Sequence, residues 1–163
     1  MKRFDLTEKI LTTENPNFIG AWNIENDDLC NEIITWFEKN KELQNQGVTS
    51  GGRVSNHKKR TDISVRPKNL NDFEFKCLNN FIKELHECFK DYNNQWPFLK
   101  GFTKNLDIGA FNIGKYSPGG HFGSIHTERA SIATLHRVFA WMTYLNDVDD
   151  GGKTNFTHYN IKI

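Results

Sequence analysis

The sequence has little excess charge and no long apolar run, and both absences narrow the partners that the chain can have. Its 163 residues include 21 Lys and Arg against 20 Asp and Glu, a formal net charge of +1. That balance creates no overall field to draw the chain onto nucleic acid or an anionic membrane. No apolar stretch approaches the ~18 residues of a membrane span, and the first residues lack the apolar core of a secretory signal. We therefore expect a cytoplasmic protein with no membrane partner.

Cysteine is also scarce. The chain has three cysteines, an odd number: Cys30, Cys77 and Cys88. None of them belongs to a C-x-x-C pair. Each falls within an apolar helical pattern, which is typical of a reduced thiol in a protein core. We predict buried thiols without disulfide or metal roles. A chain of 163 residues does not need covalent staples, because folding buries about 68–70% of its surface.

Hydrophobic residues make up only 37% of the chain, but 13 Phe, 4 Trp and 4 Tyr supply large apolar areas. Apolar residues at helical spacing follow Asn26-Asp27-Asp28, so we predict a helix that begins there and ends near Asn40. A second apolar stripe predicts a longer helix over residues 71–92. The polar, glycine-containing residues 44–59 between the helices are predicted to form a mobile loop.

Beyond residue 100 the pattern becomes strand-like. Three segments rich in β-branched and aromatic residues are predicted strands: Asp107–Tyr116, Arg137–Leu145 and Thr154–Ile163. No linker or repeat divides the chain, so we expect one domain over residues 1–163. Its first 100 residues are predicted to form a mainly helical support, and residues 101–163 the first part of a sheet core. The sequence ends within the last predicted strand.

His126-Thr127-Glu128 is a candidate metal-binding motif. On an extended segment the side chains at positions i and i+2 emerge on the same face, so His126 and Glu128 can reach one ion. Such a pair is half of the two-His, one-carboxylate triad of non-haem Fe(II) oxygenases. The spacing has low specificity, since chance supplies about 0.7 such pairs in a chain of this composition. The alternative interpretation is a solvated pair at the edge of a loop.

The surrounding motifs resemble the catalytic half of 2-oxoglutarate- and Fe(II)-dependent oxygenases of the prolyl 4-hydroxylase type. A Tyr with a glycine-rich turn (residues 116–120) precedes the metal motif, and an Arg leads the predicted strand at residues 137–145. Gly151-Gly152-Lys153-Thr154-Asn155-Phe156 is close to the family's Gly-Gly-x-Thr-x-Phe. Residues 17–67 also resemble the N-terminal region of phage and marine-bacterial members. The implied fold class is α+β, with N-terminal helices packed on a jelly-roll (double-stranded β-helix, cupin-like) core.

The resemblance implies a role for individual residues. His126 and Glu128 match the first two iron ligands, although the family more often has Asp at the second position. Tyr116 matches a residue that contacts 2-oxoglutarate, and Thr154 would lie near that cosubstrate. Four further residues match positions that line the pocket or pack beneath it: Phe122, Arg137, Trp141 and Tyr144. The implied cofactors are Fe(II) and the cosubstrate 2-oxoglutarate, and ascorbate is compatible with them.

The family's second His ligand and its 2-oxoglutarate-pairing basic residue lie some fifty or more residues after the first ligand, whereas this sequence ends sooner. Two histidines follow His126, namely His136 and His158, and His158 stands at a position where the family has no ligand. We therefore expect a C-terminally truncated dioxygenase that is inactive as it stands. The substrate of the intact enzyme would be a peptide or a small molecule. The alternative is a non-catalytic jelly-roll module that binds a partner and has lost the metal chemistry.

Two further predictions concern partners. A run of basic residues could neutralise phosphates, but no aromatic side chain interleaves it to stack on bases: Arg53, His57, Lys58, Lys59, Arg60, Arg66 and Lys68. We favour a solvated loop or a lid over a peptide, and argue against nucleic acid. Strands without neighbours are templates for another chain, so we also expect self-association through the edges around Arg137–Leu145 or Thr154–Ile163.

Overall fold

The computed structural model describes residues 1–3, 18–49, 53–54, 56–101, 103–104 and 106–163. This part of the chain contains two α-helices, α1 (Asp27–Lys39) and α2 (Lys76–Gln95). Its strands are β1 (Lys2–Arg3), β2 (Trp22–Asn23), β3 (Asn45–Gln46), β4 (Val48–Thr49), β5 (Arg53–Val54), β6 (Lys58–Lys59), β7 (Thr61–Val65), β8 (Phe111–Lys115), β9 (His121–Phe122), β10 (Asn155–Phe156) and β11 (Ile161–Lys162). The described chain is thus mixed α and β with small antiparallel sheets, and no barrel closes within it.

Helix α1 begins and ends at the predicted residues. The side chain of Asn26 accepts a hydrogen bond from the backbone N–H of Leu29 at 3.2 Å, which caps the first turn. At the other end, Nδ2 of Asn40 donates to the carbonyl of Trp36 at 2.7 Å. The apolar face between these caps is buried, with Ile33 only 1% exposed. Burying a side chain of this size contributes about 1.5–3 kcal/mol, so packing stabilises the helix more than its caps do.

Helix α2 follows the predicted stripe but begins later than predicted. Short 3-10 turns occupy Pro67–Asn71 and Phe73–Phe75, and Asp72 between them is extended (φ −84°, ψ 140°). That extended residue interrupts the helical hydrogen bonding, so the α-helix begins at Lys76. Leu78 and Phe81 on the stripe are 0% and 3% exposed, and they pack in one core cluster with the buried face of α1.

The central sheet has the order β3-β7-β8 and two chemically different faces. Ile63 pairs with Ile113 across β7 and β8, and Val65 pairs with Phe111, so these four side chains share the face that packs against the helices. Asp62, Ser64, Asn112 and Gly114 alternate with them and form the opposite, polar face of the sheet. Strand β7 lies in the part of the chain that was expected to be mainly helical, and the structure makes it the central strand.

The prediction of a strand over Arg137–Leu145 is wrong, because the structure has no regular secondary structure there. The side chains of this segment pack on helix α2, whereas its backbone pairs with no described strand. The Phe139 ring lies 5.6 Å from Tyr92 and 5.8 Å from Phe89 on α2, and Trp141 lies 5.7 Å from Phe81. A β-rich sequence forms a strand only where another backbone is available to pair with it. Within the described chain, none is placed beside these residues.

Two other predicted segments are only partly as expected. Thr154–Ile163 was predicted to be one strand, but a 3-10 turn at Thr157–Tyr159 and a left-handed Asn160 (φ 52°) fold it into the β10–β11 hairpin. Residues 44–59 were predicted to be a loop, yet their described part contributes β3, β4, β5 and β6. Strands β3 and β6 pair with the distant β7 and β9, which polar composition does not reveal, whereas β4 and β5 pair with each other.

The three thiols are free, and the prediction that all are buried holds fully only for Cys88. Cys88 is buried, whereas Cys30 and Cys77 are half-buried. Burial raises the pKa of each thiol above its ordinary value. Among the described helices, none is long and apolar enough to cross a membrane.

Candidate metal site

His126 and Glu128 lie in the irregular segment that follows β9. That segment is held next to the sheet by the β6–β9 pair, in which Lys58 is opposite Phe122 and Lys59 is opposite His121. The backbone N–H of Gly123 extends the pairing by donating to the carbonyl of His57 at 2.8 Å. The histidine and the glutamate are therefore positioned by a strand pair and not by a helix.

The imidazole and the carboxylate converge. Nε2 of His126 lies 3.6 Å from Oε1 of Glu128. Nδ1 of His126 lies 2.9 Å from the carbonyl oxygen of Ser124. A carbonyl only accepts hydrogen bonds, so the tautomer with its proton on Nδ1 would donate here and leave Nε2 available to a metal on the side of the glutamate. This arrangement is the one in which a metal-binding histidine is held by its second nitrogen.

Arg137 holds the other oxygen of the same glutamate. Its Nη1 donates to Oε2 of Glu128 at 2.7 Å, and both side chains are nearly half exposed, at 46% and 44%. The guanidinium therefore restricts the carboxylate while Oε1 faces His126. Because water reaches the pair, its contribution to stability is about 0–1 kcal/mol. The contact orients Glu128 more than it stabilises the fold.

Phe122 connects this pair to the sheet. Its ring lies 4.6 Å from the imidazole of His126 at an interplanar angle of 31°. The Phe122 ring also contacts Lys58, whose Nζ lies 5.7 Å from the ring centroid. The aromatic ring thus packs against the imidazole of His126.

Tyr116 lies on the sheet side of the site. Its hydroxyl accepts a hydrogen bond from Nη1 of Arg60 at 3.0 Å, and the guanidinium carbon lies 5.6 Å from the tyrosine ring. No hydrogen bond, ion pair or ring contact joins Tyr116 directly to His126 or Glu128 within the described residues. Among the described contacts, one route between them runs from Tyr116 through Arg60, Asp62, Lys58 and Phe122.

Thr154 and Tyr144 contact each other and form a second group. The Tyr144 and Thr154 hydroxyls are 2.5 Å apart, and the backbone N–H of Thr154 donates to the Tyr144 hydroxyl at 3.1 Å. Among the described residues, no hydrogen bond or ion pair links this group to His126 or Glu128. Trp141 is also separate, since its ring packs against Phe81 and Phe111 on the core side.

The side chains of Lys58 and Asp62 reveal a group that sequence reasoning missed. Lys58 was assigned to a solvated basic loop, but it is 6% exposed and its Nζ lies 3.0 Å from Oδ2 of Asp62. Arg60 contacts the other oxygen of the same aspartate through Nε. The available signal was the alternation of Lys58, Arg60 and Asp62 at i, i+2 and i+4, which places three charges on one face of an extended segment.

As metal ligands, His126 and Glu128 fit two of the three positions of a facial triad. A nitrogen and a carboxylate oxygen converge, the other imidazole nitrogen lies beside a carbonyl, and the glutamate is oriented by Arg137. Within the described residues, no group of three or more His, Cys, Asp or Glu is placed to hold an ion. Their role in metal binding stays a prediction. Comparisons with protein-family models, with curated proteins and with solved structures gave no match to this chain.

Proposed function

We propose that this chain carries part of the Fe(II)- and 2-oxoglutarate-dependent dioxygenase, of the hydroxylase type, that its motifs resemble, including two of its metal ligands. The observation that carries the proposal is the convergence of Nε2 of His126 and Oε1 of Glu128, with the other nitrogen of the histidine held by a carbonyl. A solvated pair at a loop edge needs neither an imidazole nitrogen beside a carbonyl nor an oriented carboxylate. Both are properties of a ligand pair.

The proposed fold is part of a jelly roll. Supporting it are the antiparallel pairs β7–β8 and β6–β9, which bring Tyr116 and the 122–128 segment to one side of the sheet while the helices cover the other. In such a fold the further strands would pack over the polar face. The substrate would enter on that face, and we propose a peptide or a small molecule.

Each described residue has a limited task in this proposal. His126 and Glu128 would hold the metal, and Arg137 would keep the glutamate from rotating. Tyr116 and Thr154 would contact the cosubstrate, with Phe122 packing beneath the histidine. The chemistry that Fe(II) and 2-oxoglutarate supply when bound is oxidative hydroxylation of a C–H bond, with succinate as the coproduct. The third protein ligand would be a residue other than those named here.

Metal titration tests the proposal. With two ligands in place, the 163-residue chain should bind Fe(II) weakly under anaerobic conditions and release no succinate from 2-oxoglutarate. His126→Ala and Glu128→Ala should each abolish the weak binding, because a single ligand does not hold the ion. His136→Ala is the matched control, since His136 is an exposed histidine in the same irregular region. Equal Fe(II) binding by wild type and His126→Ala would overturn the assignment.

Succinate release distinguishes two forms of the proposal. Metal-dependent succinate formation by the 163-residue chain would show that a third ligand lies within it, and His158→Ala would then be the first variant to examine. The other candidate function is a binding module without metal chemistry. It is favoured by the ion pair between Arg137 and Glu128, which satisfies the carboxylate without a metal. No Fe(II) binding by the wild-type chain would select that candidate.

A further inference from the structure

Met142 is one of two methionines in the chain, and its sulfur faces two hydroxyl groups. Oγ1 of Thr154 donates a hydrogen bond to Sδ of Met142 at 3.1 Å, and the Tyr144 hydroxyl lies 3.9 Å from the same sulfur. The two hydroxyl oxygens are only 2.5 Å from each other. Since these oxygens are closer to each other than either is to the sulfur, both hydroxyls approach the sulfur from the same side.

The β10–β11 hairpin holds these hydroxyls in place. The backbone N–H of Thr154 donates to the carbonyl of Ile163 at 2.8 Å, and the N–H of Ile163 donates back to the carbonyl of Thr154 at 3.0 Å. The N–H of Thr154 also lies 3.1 Å from the Tyr144 hydroxyl, which is 3.4 Å from the Ile163 carbonyl. Backbone groups therefore fix both hydroxyls, so their position beside the sulfur does not depend on a bound ligand.

The opposite side of the Met142 sulfur is left for a reagent from solvent. A thioether sulfur has two lone pairs that point to different sides, and it is a weak hydrogen-bond acceptor. The Thr154 hydroxyl engages one of them, and within the described residues no hydrogen bond reaches the other side. Met142 is 53% exposed, so a small molecule dissolved in water can approach it. The two lone pairs of this sulfur are therefore not equivalent.

We propose that Met142 is a modification site at which a peroxide oxidises the sulfur to one of the two sulfoxide epimers. The free lone pair attacks a peroxide oxygen, so an S–O bond forms and the O–O bond breaks. Sulfur loses two electrons, and with hydrogen peroxide the departing hydroxide takes the proton of the transferred oxygen and leaves as water. Thr154 and Tyr144 are positioning residues, because they occupy one side of the sulfur and direct the oxygen to the other.

Oxidation of Met142 is reversible and changes the surface around it. Methionine sulfoxide is polar and chiral, and two classes of reductase each reverse one epimer. A single epimer means that one class of reductase, and not the other, restores Met142. Val138 and Tyr144 are also exposed, at 43% and 48%, so the added oxygen makes an apolar surface more polar. The site goes beyond the proposed dioxygenase function, because no metal or cosubstrate takes part.

Oxidation of the folded, metal-free chain by hydrogen peroxide in EDTA tests the site. The chain is then digested, and mass spectrometry with fragmentation assigns the added oxygen to Met142 or to the neighbouring Trp141. Treatment with each epimer-specific reductase measures one epimer. We expect an excess of one epimer of about twofold to fivefold, which corresponds to a weak hydrogen bond on one lone pair. The same peptide oxidised after digestion is the reference and should give nearly equal epimers.

Two substitutions that keep the shape of the side chain separate hydrogen bonding from crowding. Thr154→Val should reduce the excess to less than about 1.5-fold, because the donated hydrogen bond is lost. Tyr144→Phe should reduce it less, since that hydroxyl lies farther from the sulfur. Thr157→Val is the matched control in the same hairpin and should keep the wild-type excess, because the Thr157 hydroxyl makes no hydrogen bond within the described residues.

Four results would overturn the site. They are no oxygen on Met142 of the folded chain under conditions that oxidise the digested peptide, equal epimers in the wild-type chain, an unchanged excess in folded Thr154→Val, or an equal loss of the excess in Thr157→Val. The thermal unfolding midpoint establishes that each variant is folded. If Thr154→Val is not folded, an unchanged excess in Tyr144→Phe is the overturning result. Every measurement is made without iron, so none depends on Fe(II) binding by His126.

Discussion

Gly114 shows how a single missing side chain decides what the polar face of the sheet can hold. Its absent Cβ would lie within 3.0 Å of Asp62 and 3.2 Å of Arg60, so Gly114→Ala must displace an ion pair that is largely buried. We expect a loss of about 1–3 kcal/mol in the free energy of unfolding, which is typical of overpacking. Urea denaturation measures the loss.

Gly109→Ala is the matched control for that substitution. A Cβ at Gly109 meets nothing within 4 Å, and the change reduces the freedom of the unfolded chain. It should leave the stability unchanged or raise it slightly. Equal destabilisation by both substitutions would contradict the tight packing of the ion pair at Gly114.

We expect the buried thiols to lower the stability of the fold at alkaline pH. Burial raises the pKa of Cys30, Cys77 and Cys88 in the folded chain, while the unfolded thiols titrate near pH 8.5. Above that pH the unfolded thiols ionise and the folded ones stay protonated, so stability falls as the pH rises. Below it, their contribution is fully present.

Urea denaturation between pH 7 and about pH 10, with reductant present, tests this limit across the thiol titration range. The variant with all three cysteines replaced by alanine should lose less stability over that interval than wild type. A remaining decline is expected near the upper end, because burial also raises the pKa of Tyr92. Identical slopes for the two chains would contradict a role for the thiols.

Residues 137–145 are attached to the fold through their side chains and not through a backbone ladder. Trp141 makes two of these contacts, because its ring lies 5.7 Å from Phe81 of α2 and 5.3 Å from Phe111 of β8. We expect Trp141→Ala to lower the free energy of unfolding by about 2–3 kcal/mol, the lower end for such a truncation because the ring is only partly buried.

Ile132→Ala provides the control for Trp141→Ala. Ile132 is 90% exposed, so its truncation should change stability by less than about 0.5 kcal/mol. Both variants are compared with wild type by urea denaturation. A loss at Trp141 no larger than that at Ile132 would show that the 137–145 segment is not packed on α2 in solution.

At the scale of the whole molecule, residues 137–145 form an exposed apolar surface. We expect the chain to self-associate through it. Val138, Met142 and Tyr144 are 43%, 53% and 48% exposed, and the backbone of residues 138–145 makes no backbone–backbone hydrogen bond within the described chain. Exposed apolar side chains beside unpaired backbone groups favour pairing with a second copy. Sedimentation at micromolar concentration should therefore detect self-association.

A charge placed in the segment should oppose that association. Met142→Lys is expected to raise the dissociation constant by about tenfold, equivalent to about 1.4 kcal/mol. Val148→Lys adds the same charge at an exposed position outside the segment, and it should have little effect. A strictly monomeric wild-type chain, or equal effects of both substitutions, would contradict association through residues 137–145.

Local patterns in the sequence were enough to place the helices and the His126–Glu128 pair. The caps of α1 depend on Asn26 and Asn40, each of which contacts backbone within four residues. The convergence of His126 and Glu128 follows from a two-residue spacing. Interactions of this range are decided by neighbours along the chain, so the order of residue types is sufficient to predict them.

The sheet and its charges were decided only by tertiary structure. Whether residues 137–145 form a strand depends on a backbone partner that composition does not reveal, and the aromatic residues packed on α2 instead. The sequence pattern suggested solvated charges for Lys58 and Arg60, but the fold buries Lys58 with Asp62 and places Gly114 beside Asp62 and Arg60. A charge is buried or solvated according to which distant segments pack over it, because desolvation depends on every atom nearby and not on sequence neighbours alone.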